Sequence, residues 1–258
     1  MHCRFCSYDA LMRCLVLGHS GTAGFGLDSP TRSWPALLEH LLKDSVAQDW
    51  AVSSVALFPV GARAIEYAVT RVQQVQPELV VLSLNAYPCV VPVVSASVRH
   101  RFGSWAERRY LALEGGMETR AGEGRGSWPA IEKAGRRWAR RLLGTRTMAS
   151  VAEVGSAYSE ILRRLAHLEG IQVVVPAEAL FGANVRLRVP NLEQRVRAMH
   201  GLVRPTAADH RFLWCDATGW LVPDGGGAFW HDDDVHLSIR GNARYAEMLM
   251  ASLATRLP

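Results

Sequence analysis

Five short apolar runs, at residues 14–17, 51–58, 79–84, 171–175 and 211–215, alternate with stretches of helical periodicity. That alternation constrains the fold more than any other feature of the chain. The runs are strand-sized and mostly lack a polar side, as strands covered on both faces do. The helical stretches between them are 34–42, 62–75, 131–143, 151–168, 192–200 and 241–257. Ser33 precedes the first of these in the cap position, with Pro35 in its first turn, and Gly61 precedes the second. Strand and helix in alternation predict an α/β protein with a parallel sheet and right-handed crossovers.

One interval breaks the rhythm. About 85 residues separate the third run from the fourth, where a plain crossover needs far fewer. Gly115, Gly116, Gly122, Gly124 and Gly126 predict a poor helix and a flexible loop in its middle. Residues 90–127 are therefore expected to be an insertion or lid on a single domain spanning residues 1–258. From Arg99 to Arg146 the chain holds twelve Lys/Arg against five Glu and no Asp, within a chain of formal net charge +5. The rest of the sequence is therefore slightly acidic. No recognised nucleic-acid module accompanies the basic segment, so nucleic acid is not an expected partner. Trp105, Trp128 and Trp138 are interleaved with the arginines, so part of the segment is expected to pack.

The five cysteines have no regular spacing, which argues against a disulfide framework. Cys3 and Cys6 form one Cys-x-x-Cys, but no second pair completes a zinc site. No metal and no cofactor are expected. No apolar run reaches the length of a membrane span, and the first is too short for a signal-peptide core. A cytoplasmic protein is the expectation.

In an open parallel sheet, ligands bind beyond the carboxyl ends of the strands. Ser20 follows the first run, in Gly18-His19-Ser20-Gly21. Gly61 follows the second, after Phe58-Pro59-Val60. Asn85 ends the third, in Ser83-Leu84-Asn85-Ala86. Asp233 and His236 follow the fifth and lead into the last helix. A serine, a histidine and a carboxylate are the parts of a nucleophilic acyl-transfer site. Ser20 would attack, His236 would take and return its proton, and Asp233 would fix the imidazole tautomer. The backbone N–H groups of Ser20 and Gly61, with the Asn85 amide, would face an oxyanion. Asp232 and Asp234 read as loop solvation or caps. A serine or asparagine at a strand end is ordinarily only a turn residue; the joint placement selects the catalytic reading. The glycines at 18, 21, 24 and 26 do not spell a dinucleotide loop, because Gly-x-Gly-x-x-Gly in that order is absent.

Ser, Gly, Asn and His in this order resemble the SGNH hydrolases, also called the GDSL esterase/lipase family. The first motif there usually reads Gly-Asp-Ser, and here Gly18-His19-Ser20. The third usually reads Gly-x-Asn-Asp, and here Ser83-Leu84-Asn85-Ala86. The acids missing from these motifs normally brace the loops, so His19 is expected to stand in structurally. The resemblance implies a three-layer α/β/α sandwich with a five-stranded, flavodoxin-like sheet. It also implies serine-dependent hydrolysis of esters, thioesters or acetylated sugars without a metal. An acyltransferase with the same triad, or a binding protein that kept the fold, are the alternatives. His19, Arg99 and Arg101 are candidate substrate contacts, and the arginines suit an anionic or carrier-bound acyl group.

Overall fold

The computed structural model describes residues 11–45, 49–122, 135, 138–139, 141–177, 181–217 and 226–256. Cys3, Cys6, Trp128, Arg136, Arg137 and Arg140 lie outside them. Two compact units divide the chain: Met1–Ala86 with Val151–Pro258, and Tyr87–Ser150.

The first unit carries the sheet. Strands β1 (Met12–Gly18), β2 (Trp50–Ala56), β3 (Leu79–Leu82), β4 (Gln172–Ala177) and β5 (Leu213–Asp216) pair in the order β2-β1-β3-β4-β5. Every pairing is parallel. This is the flavodoxin-like order, and its topological switch point lies between β1 and β3. Period-two alternation sorts the strand residues. Cys14, Val16, Leu79, Val81, Val174 and Cys215 all enter one apolar core. That core is closed by α1 (Trp34–Ser45), through Trp34, Leu38 and Leu42, and by the last helix (Ile239–Leu253), through Tyr245, Ala246, Leu249 and Leu253. Trp34 and Tyr245 meet with ring centroids 5.1 Å apart.

Helices α2 (Ala62–Val75), α5 (Val151–Leu165) and α7 (Leu192–Asp209) cover the other face. Helix α5 buries Val154, Ala157, Tyr158, Ile161, Leu162 and Leu165, an unbroken three-four stripe. Helix α7 is longer than the stretch 192–200 expected from the sequence. It continues to Asp209, since Val203 and Ala207 prolong the buried stripe that begins at Leu192 and Val196. A short helix, α6 (Ala183–Arg188), was not foreseen.

The second unit begins with α3 (Tyr87–Val90) and α4 (Val94–Gly122). The flexible loop expected around Gly115-Gly116 is instead helix. Trp105 to Glu114 is rich in good helix formers, and its propensity outweighs a glycine cost of about 1 kcal/mol each. The break comes earlier, at Gly103, whose φ of 81° is not helical. Val93 and Arg146 form an antiparallel bridge, and the Arg101 guanidinium donates to the Leu142 carbonyl at 3.4 Å. In the segment part of which was expected to pack, Trp105 and Trp138 are 62% and 67% exposed. The Arg109 guanidinium lies over Trp105, 4.8 Å from its ring centre. Among the described residues, no helix is long and apolar enough to cross a membrane.

Candidate active site

Strand register brings the first three site segments together. Gly18 lies beside Ala56, and Leu17 beside Leu82, so β1, β2 and β3 end at one level. Ser20, Gly61 and Asn85 follow those ends, with Ser20 on the middle strand. Two backbone bonds tie the exits: Leu57 N–H donates to Gly18 C=O, and Ser83 N–H donates to Leu17 C=O at 2.9 Å.

Ser20 opens a single 3-10 turn, Ser20–Ala23, that His19 caps. The His19 Nδ1 accepts the Gly21 N–H at 3.1 Å, so its proton resides on Nε2. This is the bracing that an aspartate in the same place would supply. Burial, and then the neighbouring His236, push the His19 pKa down to about 4. His19 is thus held neutral while it caps the turn that carries Ser20.

The fourth segment folds back as a tight loop. Trp230 bridges Leu237, His231 N–H donates to His236 C=O at 2.8 Å, and Asp234 N–H donates to His231 C=O at 2.8 Å. The loop delivers His236 to Ser20, with Nε2 2.7 Å from Oγ. On the other side of the ring, Nδ1 is 2.6 Å from Asp233 Oδ2. Asp233 Oδ1 accepts the backbone N–H groups of Val235 and His236, each at 2.9 Å. Partial burial alone would raise the Asp233 pKa. The His236 backbone, the imidazole and the Val235 N–H outweigh it and hold the carboxyl below the usual range.

Asp234 does something different from Asp233. It is buried and left-handed, with φ 57°. Its Oδ2 accepts the Asn184 N–H at 3.0 Å, and its C=O accepts the Gly182 N–H at 2.8 Å. The cap expected of it is real, but it serves α6 from outside that helix. Gly61, at φ 78° and ψ 172°, starts α2 in a conformation a side chain would strain, although the space around it is open.

Three contributors had escaped the sequence reading. Tyr158 on α5 accepts the Asn85 N–H at 2.7 Å through its hydroxyl, which donates to Ser83 C=O at 3.3 Å. It therefore holds both ends of the Ser83-Leu84-Asn85 turn that lacks the usual acid. Asn242 joins the last helix to α1, and Phe25 lies against His236. Tyr158 and Asn242 are polar residues on otherwise apolar helix stripes, and such groups need partners; that was the available signal. Arg99 and Arg101, the candidate substrate contacts, belong to the second unit. There Arg99 faces Glu107 at 3.8 Å and Arg101 holds the Leu142 carbonyl.

Solved structures share this architecture. TesA superposes with a TM-score of 0.57 at 17% identity, over 95% of this chain and 100% of that one. A lipase/acylhydrolase from Enterococcus faecalis gives 0.59 at 15% identity, over 96% and 98%. Est24, a carbohydrate acetylesterase from Sinorhizobium meliloti, gives 0.56 at 12% identity, over 95% and 100%. At such identities the likeness concerns the fold. No curated protein matches the chain. The sequence itself matches the family model across residues 16–244, a span that holds Ser20, Gly61, Asn85, Asp233 and His236, and the protein belongs to the GDSL-like lipase/acylhydrolase family.

Proposed function

We propose that this protein hydrolyses carboxylic esters or thioesters through an acyl-enzyme on Ser20, with His236 as general base and Asp233 as its orienting carboxylate. The unbroken chain from Ser20 Oγ through both nitrogens of His236 to Asp233 carries the reading. The Ser20 hydroxyl proton passes to Nε2 as Oγ bonds to the carbonyl carbon, and the carbonyl electron pair moves onto oxygen. The Asn85 amide and the Ser20 and Gly61 N–H groups receive that oxyanion. Nε2 then protonates the leaving oxygen or sulfur as its bond to carbon breaks. Water, activated by the same nitrogen, releases the acid. Asp233 stays ionised throughout, because its low pKa favours the carboxylate beside an imidazolium.

A panel of p-nitrophenyl esters and acyl-thioesters, run with and without acceptor alcohols, tests the reaction class. A fluorophosphonate should label Ser20, and Ser20→Ala should lose nearly all turnover while remaining folded. Ser20, His236 and Asp233 act as a unit, so Ser20→Ala/His236→Ala should be about as slow as His236→Ala alone. Additive losses would assign the base elsewhere. Transfer to the alcohol outpacing hydrolysis would make the protein an acyltransferase. The arginine-rich segment from Arg99 to Arg146 supports an anionic acyl ester as the natural substrate, since steering by a basic field acts at long range. Added salt should then depress kcat/KM for an anionic ester and leave a neutral one unchanged.

A further inference from the structure

The Phe25 ring lies against the His236 imidazole, with centroids 4.4 Å apart and planes tilted by 38°. It is 59% exposed, so burial in the core does not account for its place. Its backbone N–H donates to the Ser20 carbonyl at 3.3 Å. One residue is thus fixed to Ser20 by its backbone and to His236 by its ring. The chain bends to permit this. Gly24 and Gly26, at φ 75° and 80°, flank Phe25 in the left-handed region. A Cβ on Gly26 would stand 3.2 Å from the His231 ring, so the bend fits closely against the catalytic loop.

The two hydrogen bonds of His236 fix its nitrogens, one on Ser20 and one on Asp233. A contact on its face adds a further restraint on the plane of the ring. We propose that Phe25 is a positioning residue, which holds the imidazole in line with Ser20 Oγ and stabilises the imidazolium that forms as the serine proton arrives. An aromatic face attracts a cation, and the cation exists only after proton transfer. The contact therefore strengthens in the transition state and should appear in kcat rather than KM. This inference rests on the Ser20–His236 reading above.

The test uses the full chain with Phe25→Leu, which keeps apolar bulk without the π face, and Phe25→Tyr, which keeps both. Thermal melting establishes that each variant is folded, with Phe25→Met as the alternative if Phe25→Leu is not. With a neutral p-nitrophenyl ester, Phe25→Leu should lose about two- to five-fold in kcat with little change in KM, the size of one exposed cation–π contact. Phe25→Tyr should restore kcat. A wild-type kcat in Phe25→Leu, or a change in KM alone, overturns the proposal. Fluorophosphonate labelling of a serine other than Ser20 in the wild-type protein instead overturns the reading beneath it, whatever Phe25 does.

Discussion

The Asn242 side-chain oxygen accepts the backbone N–H of Trp34 at 2.9 Å, joining the first residue of α1 to the last helix. The same amide's NH₂ donates to the carbonyls of Leu237 and Ser238, each at 3.0 Å. Asn242 is 2% exposed, so water cannot replace these bonds. The last helix is thereby registered on α1 just after it leaves the His236 loop.

Asn242→Leu should therefore destabilise the protein by about 1–3 kcal/mol for each buried group left unpaired. Chemical denaturation measures this. The loss of kcat at temperatures where the variant is folded should exceed that of a Leu249→Val change in the same core, because only Asn242 also sets the position of His236. Equal activity in the two folded variants would make Asn242 a packing residue alone.

Tyr158→Phe removes the hydroxyl that accepts from Asn85 and donates to Ser83. It should lower both stability and kcat, the latter through a loosened Asn85 turn. Asn85→Ala should cost on the order of 10²–10³ in kcat, as loss of one oxyanion donor does. The two losses should be less than additive, since both pass through the Asn85 amide. Steady-state kinetics on the double variant decides the point, and full additivity would separate the two residues.

Asp233 and Asp234 are neighbours with separable duties. Asp234→Ala should cost about 1–2 kcal/mol, by loss of the α6 cap and by strain at φ 57°. Asp232→Asn, at an exposed position, should be nearly silent in both stability and rate. Asp233→Asn should abolish most activity with little change in melting temperature. An inactive but fully stable Asp234→Ala would mean that Asp234, rather than Asp233, serves the histidine.

His19 and His200 both have pKa values lowered to about 4 from an ordinary 6.5, chiefly by burial. Between those pH values the unfolded chain binds protons that the folded chain refuses. Stability should accordingly fall as pH drops from 6.5 toward 4, by at most about 3 kcal/mol for each histidine and less for their partial exposure. His19→Asn keeps a good cap and removes the titration, so its melting temperature should depend less steeply on pH in that window. An unchanged slope would mean that His19 does not titrate with folding.

The candidate site could be read because nucleophilic acyl transfer would need particular residue types at the ends of apolar runs. Ser20, Gly61, Asn85, Asp233 and His236 were singled out in that way, and the structure joins Ser20, His236 and Asp233 in one hydrogen-bonded chain. Helix α2 was bounded correctly because Gly61 begins it and no breaker interrupts it. The helix from Val94 to Gly122 was hidden, since its apolar residues do not fall on one stripe and its glycines read as a loop. Tyr158 and Asn242 were hidden for another reason. Their partners lie 73 and 208 residues away, and no local pattern records which backbone group a buried side chain will meet.

Ser20 and His236 are separated by 216 residues of chain, and the last helix, which packs on α1, begins three residues beyond His236. Contacts this distant in sequence close late, after most of the entropy of the intervening chain has been surrendered. On the function proposed above, a partly folded molecule, even with its sheet complete, would carry Ser20 with no base beside it and so would not attack an ester. Recovery of activity during refolding should trail the recovery of secondary structure, which makes hydrolysis a clock for the final step of assembly.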